Sequence, residues 1–226
     1  LGLSGVGTIS LATSTIAGSL NDTASLVNLS GTMTVQSSGS ATVGSLTLQP
    51  GVGITNSGGL FTAAGGTITT ANTGADSTIL SSGAATTTLA AISVPSGTHN
   101  LILNNTGSNA LTSSGPVAVG NGRTLTIAGT GSTNLNGTGA SQTALGTGST
   151  LNLVGSGATD VADLLMVGST VSNAGSGSLQ LNTLSSSGAS TIHNGSTSTI
   201  ALGSLDVTGG TLSVTNASTA PSSFTA

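Results

Sequence analysis

Apolar residues in this chain stand two positions apart in short runs, and the runs keep returning. Leu46 and Leu48, Leu101 and Leu103, Leu125 and Ile127, Leu151 and Leu153, Leu179 and Leu181, Leu205 and Val207, and Leu212 and Val214 all follow this pattern. Alternation with a period of two places one side of a strand inward and the other outward. Between the runs lie Asn121-Gly122, Asn136-Gly137, Asn194-Gly195, Gly65-Gly66 and Gly209-Gly210. Such pairs supply the positive φ angles that tight corners need. The chain reads as strand, corner, strand, corner along its length.

The distance between returns selects the architecture. Gly-Ser-Leu occurs at 18–20, 44–46, 177–179 and 203–205, a separation of 26 within each pair. Runs beginning at 101, 125, 151, 179 and 205 are separated by 24, 26, 28 and 26 residues. A coil of about 26 residues falls in the ~20–50 residue range of stacked repeats. The expected fold is an all-β, right-handed parallel β-solenoid of about nine coils, a single domain over 1–226. At ~4.8 Å per coil the rod would be on the order of 40 Å long.

The register is least regular between 50 and 100, where Ile54, Leu60, Ile68, Ile79, Leu89 and Ile92 are more scattered, and a bulge or longer loops are expected there. The segment 158–167 admits two readings. One is a helical turn capped by Thr159 or Asp160; the other is a strand over 164–167. A β-sandwich is the rival fold, but Phe61 and Phe224 are the only aromatic residues, and a sandwich core would be poorly filled.

Composition removes whole classes of function. Only 3% of the residues are charged, against about 25% in an average domain. Hydrophobic residues still make up 35%, with a mean hydropathy of +0.37, so the chain has the apolar surface that disordered chains lack. The net charge is −4, with Arg123 the single basic residue, so nucleic acid is not an expected partner. The longest apolar stretches, 164–167 and 89–92, fall far short of the roughly 18 residues of a spanning helix. With no cysteine there are no disulfides or thiolate ligands. A start at Leu1 suggests a processed form or fragment of a longer secreted precursor.

Residues able to do chemistry are few. Asp160 and Asp163 are the only closely spaced carboxylates, the pairing that polysaccharide-cleaving solenoids use, but capping and solvation account for them more simply. Asp22, Asp76 and Asp206 stand alone, and His99 and His193 are read as surface or corner histidines. Gly-Thr-Gly-Ser at 129–132 and 146–149 lacks the Gly-Lys that a phosphate loop requires. Thr-x-Thr pairs at 32 and 34, 67 and 69, 124 and 126, and 197 and 199 are not spaced in multiples of a coil, which weakens an ice-binding reading. Sequons fall at Asn21, Asn28, Asn104, Asn136, Asn194 and Asn216. No catalytic residue, metal site or cofactor is expected.

Three strings are similar to the passenger repeats of bacterial autotransporters and filamentous-haemagglutinin-type adhesins. They are Gly-Arg-Thr-Leu-Thr-Ile-Ala-Gly at 122–129, Gly-Ser-Thr-Leu-Asn-Leu at 148–153 and Gly-Thr-Leu-Ser-Val-Thr at 210–215. The resemblance implies export to the cell surface, a β-helical rod, and adhesion or matrix building. The expected function is an extracellular structural rod that associates with itself, head to tail, through its ends. The end residues are Leu1, Leu3, Val6, Ile9 and Leu11, with Leu205, Val207, Leu212 and Val214 at the other end. Neither 1–11 nor 211–214 holds the charge or proline that blocks strand addition. The alternatives are a passenger stalk presenting an adhesive tip, with cell-surface polysaccharide or a host surface as partner, and an ice-binding or polysaccharide-active solenoid.

Overall fold

In the computed structural model, residues 8–195, 198–216 and 224–225 are described, and they form a parallel β-solenoid of about nine turns. Among the described residues, 23 strands pair in parallel throughout, and the one helical element is the short 3-10 turn Gly139–Ser141. Each turn carries three strand segments, so the rod has three faces. The first face starts at Thr8–Leu11, the second at Ser14–Ile16 and the third at residues 19–22. Later strands such as Leu179–Asn194 bend through all three faces without a break.

The core is a set of columns, one residue from each turn. On the first face Val27, Leu46, Ile68, Ile92, Val117, Thr143, Leu164 and Leu184 stack in register. On the second, Leu101, Leu125, Leu151, Val171 and Ile192 do the same. The third mixes apolar and hydroxyl groups, Phe61, Thr87, Leu111, Thr133, Thr159, Leu179 and Ile200, every one of them buried. β-branched and leucine side chains suit this arrangement, because a pleated surface wants stiff side chains that nest on the turn below.

Corners are built by recurring local chemistry. From the first face to the second, the chain makes a turn at 49–52, in which Val52 N–H donates to Gln49 O at 3.1 Å. Pro50 and Gly51, with φ of +73°, occupy the two central positions that a type II turn reserves for them. The turns at 95–98, 120–123 and 146–149 close with the same bond. From the second face to the third, buried asparagines hold the corner. Asn105 Nδ2 donates to Asn109 O at 2.9 Å and to Ser132 O of the next turn, while its Oδ1 accepts from Gly107 N–H. Asn56, Asn173 and Asn194 are buried at equivalent corners and bond in the same manner.

The turn length departs from a uniform 26. Thr8 pairs with Leu26 and Ser14 with Met33, turns of 18 and 19 residues. Thr124 meets Thr150 across 26, but Leu151 meets Val171 across only 20. The Gly-Ser-Leu strings are therefore not equivalent from turn to turn: Leu20 stacks on Ala41, whereas Leu46 stacks on Val27. Loop length varies because corners lie outside the ladder. Seven residues, 136–142, link the third face to the first in one turn, and Ala162 alone does so in the next.

At 50–100 the longer loops expected there are present, as the six-residue corners 71–76 and 95–100 against four residues at 49–52, 120–123 and 146–149, but the core columns do not break. Ile54, Ile68, Ile79, Leu89 and Ile92 are all buried in continuous columns, and only Leu60 faces outward. Of the two readings of 158–167, the structure has the strand, and it is longer than expected, running Thr159–Val167.

Candidate functional site

Among the described residues, the first and last rungs are where ladder partners lie on one side only. The strand Ile200–Asn216 lies on Leu179–Asn194, with Leu205 above Leu184, Val207 above Ser186, Leu212 above Ser190 and Val214 above Ile192. The short strand Phe224–Thr225 covers only Ile200 and Ala201. Beyond it, Leu205, Val207 and Val214 stand in core columns yet are 47%, 40% and 45% exposed, while Leu212 is partly buried against the core. Among the described residues, 203–215 have ladder partners on one side only. Among the described residues, Ile9 and Leu11 stand first in the same two columns in which Leu205 and Val207 stand last, and both are half-buried. Leu1, Leu3 and Val6 lie outside the described residues.

A strand with one free edge and its inward side chains uncovered receives another strand readily. The backbone groups supply hydrogen bonds and the apolar row supplies burial. No side chain in 203–215 carries positive charge, and Asp206 is the single acidic one, standing on the outer side of the first face.

The carboxylates and histidines do not converge. Asp160 sits on the third face between Asn134 and Gln180, its Oδ1 enclosed without a hydrogen-bond partner. Asp163 lies past the corner on the first face, where its Oδ2 accepts from Gly139 N–H at 2.7 Å. Asp163 thus anchors the 3-10 loop. Asp22 is buried and caps a turn, its Oδ1 accepting from Ser25 N–H at 3.0 Å.

His99 departs from the surface reading: it is at a corner, as expected, but only 2% exposed. Its Nδ1 donates to Ala71 O at 2.9 Å, since a carbonyl can only accept, and its Nε2 lies 2.7 Å from Ser77 Oγ. Ser77 is fully buried, so this Ser-His contact faces packed protein and ties three turns together. His193 is hydrogen-bonded through Nδ1 to Thr215 Oγ1. Among the described residues, no three His, Cys, Asp or Glu side chains gather as a metal cluster.

The remaining candidates are absorbed by the ladder. At 146–149, Gly146 N–H donates to Val119 O and Gly148 N–H to Gly168 O; at 129–132, Gly131 N–H donates to Asn105 O. These amides are committed between turns and do not cradle an anion. Arg123 Nη1 donates to Thr98 O at 2.6 Å. The Thr-x-Thr pairs fall on different faces: Thr67 and Thr69 on the first, Thr34 and Thr126 on the second. Thr197 lies outside the described residues. Stacking does produce ranks that spacing concealed, Thr42, Thr62, Thr88 and Thr112 on the third face and Thr124, Thr150, Thr170 and Thr191 on the second, each a single residue wide. The exposed Leu60 interrupts any further rank beside the first of them.

An open groove of about 490 Å³ lies at the third corner of the first turns, lined by Thr23, Leu26, Gly44, Ser45, Ala64 and Gly66. It offers neither charge nor an aromatic surface. No helix among the described residues is long and apolar enough to cross a membrane. No known family, curated protein or solved structure matches the chain.

Proposed function

We propose that this chain is a mechanical element: a non-enzymatic β-solenoid rod of an exported surface fibre or matrix, which lengthens when a second copy adds its first rung to the open last one. The observation that carries the reading is the exposed row Leu205, Val207 and Val214, in register with the core columns and beside a backbone edge without a ladder partner among the described residues. The half-buried Ile9 and Leu11 at the head of two of those columns offer the complementary surface. A heterologous contact of this kind does not close on itself and propagates as a filament.

Export is supported by the uncharged Ser, Thr and Asn skin and by the similarity of 122–129, 148–153 and 210–215 to surface-adhesin repeats. A structural role is supported by the dispersal of the carboxylates over separate faces and the enclosure of His99.

Light scattering and negative-stain imaging across a concentration series test the proposal. End-to-end filaments that disappear in the Val207→Lys variant are the expected result. If the folded chain stays monomeric at the highest concentration reached, the filament reading fails and the rod is left as a stalk.

A further inference from the structure

We infer that Asn136 is a site of spontaneous covalent modification, the residue at which this chain deamidates and isomerises while folded. Asn-Gly pairs occur at 121–122, 136–137 and 194–195, and an asparagine followed by glycine is the sequence least hindered toward cyclisation. In that reaction the glycine backbone nitrogen loses its proton to hydroxide and attacks the side-chain carbonyl carbon. A new C–N bond forms, the Cγ–Nδ2 bond breaks as that nitrogen takes a proton from water and leaves as ammonia, hydroxide is regenerated, and a succinimide remains. Water then adds to either ring carbonyl and gives aspartate or isoaspartate. The co-reactants are hydroxide and water, with no oxidation or reduction.

The structure separates the three pairs. Gly122 N–H donates to Thr147 O at 3.1 Å and Gly195 N–H to Asn173 O at 2.9 Å, both across the gap between turns. These nitrogens cannot attack until a ladder bond opens. Asn194 is further immobilised, since it is buried, its Nδ2 donates to Ser198 O at 3.0 Å and its Oδ1 accepts from Ser198 Oγ at 3.0 Å. Gly137 is enclosed, yet its N–H has no acceptor among the described residues. Asn136 is exposed, and its side-chain amide makes no hydrogen bond among the described residues. It also opens the seven-residue loop 136–142, outside the ladder, where the extra main-chain methylene of isoaspartate displaces no strand. Each event makes the net charge of −4 one unit more negative. The new carboxylate belongs to the loop that Asp163 holds through Gly139.

The experiment incubates the purified, folded chain at mildly alkaline pH in ¹⁸O-labelled water and maps label incorporation by mass spectrometry, with a denatured sample in parallel. Conversion at Asn136 is expected to exceed that at Asn121 and Asn194 by about tenfold or more in the folded chain, the protection that one ladder bond confers, and to be comparable at all three when denatured. The inference is overturned if Asn121 or Asn194 converts as fast as Asn136 in the folded chain. It is equally overturned if Asn136 stays inert when folded but converts when denatured.

Discussion

Two kinds of glycine hold the corners, and they resist substitution for different physical reasons. Gly122 has φ of +67° and open space where a Cβ would sit, so only conformation opposes a side chain. Gly122→Ala is expected to destabilise by about 1–2 kcal/mol, the strain of a left-handed residue. Gly157 lacks that φ, but a Cβ would lie 2.0 Å from Gly131 O in the turn beneath. That carbonyl belongs to packed backbone and cannot retreat, so Gly157→Ala is expected to exceed ~3 kcal/mol. Urea midpoints of the two variants, run side by side, read the difference; equal losses would contradict the distinction. His99 makes a parallel case. His99→Phe keeps a planar ring but leaves Ala71 O without the Nδ1–H donor and Ser77 Oγ with Gln49 O alone, so a loss of about 1–3 kcal/mol is expected by the same measurement.

At the scale of the element, alternation told where strands lie, because inward positions recur at every second residue of a strand whatever the corner does, and most of them are apolar. Leu101 with Leu103 and Leu151 with Leu153 are strand pairs as read. The return distance misled for the opposite reason. A corner contributes nothing to the ladder, so loops of one residue and of seven coexist, and identical strings at different corners mimic a fixed repeat. Polar corner residues were the least legible. Asn56, Asn105, Asn173 and Asn194 resemble any turn asparagine in sequence, and only folding shows them buried and spanning turns. The open rung was legible in its residues, Leu205, Val207, Leu212 and Val214, since they continue the alternation. Their exposure was not, because it depends on what lies above them. The same side-chain truncation should therefore differ along a column. Leu103, fully buried between Ile79 and Ile127, should lose about 2–5 kcal/mol as Leu103→Ala. Leu205, 47% exposed, should lose roughly half of the ~1.5–3 kcal/mol that full burial of a leucine provides. A Leu205→Ala loss as large as that of Leu103→Ala would mean that the last rung is covered in solution.

Over the whole molecule, each turn touches only its neighbours, so stability is close to a sum of turn and interface terms rather than one indivisible quantity. Among the described residues a central turn has two interfaces and the rung at 203–215 has one, so opening should begin there and spread inward. Amide hydrogen exchange measures this gradient directly. In dilute protein, the amides of Leu101–Asn105 and Thr124–Gly129 are expected to be the slowest and those of 203–215 the fastest of the ladder. Addition of a second copy supplies the missing interface, so raising the concentration should slow exchange at 203–215 and at Thr8–Leu11 together, and leave the central turns unchanged. Val207→Lys places a charge in the column that must be buried, and it should remove the concentration dependence while keeping the gradient itself. Protection that rises at 203–215 without any change at Thr8–Leu11 would mean that the open rung takes a partner other than the head of the same rod.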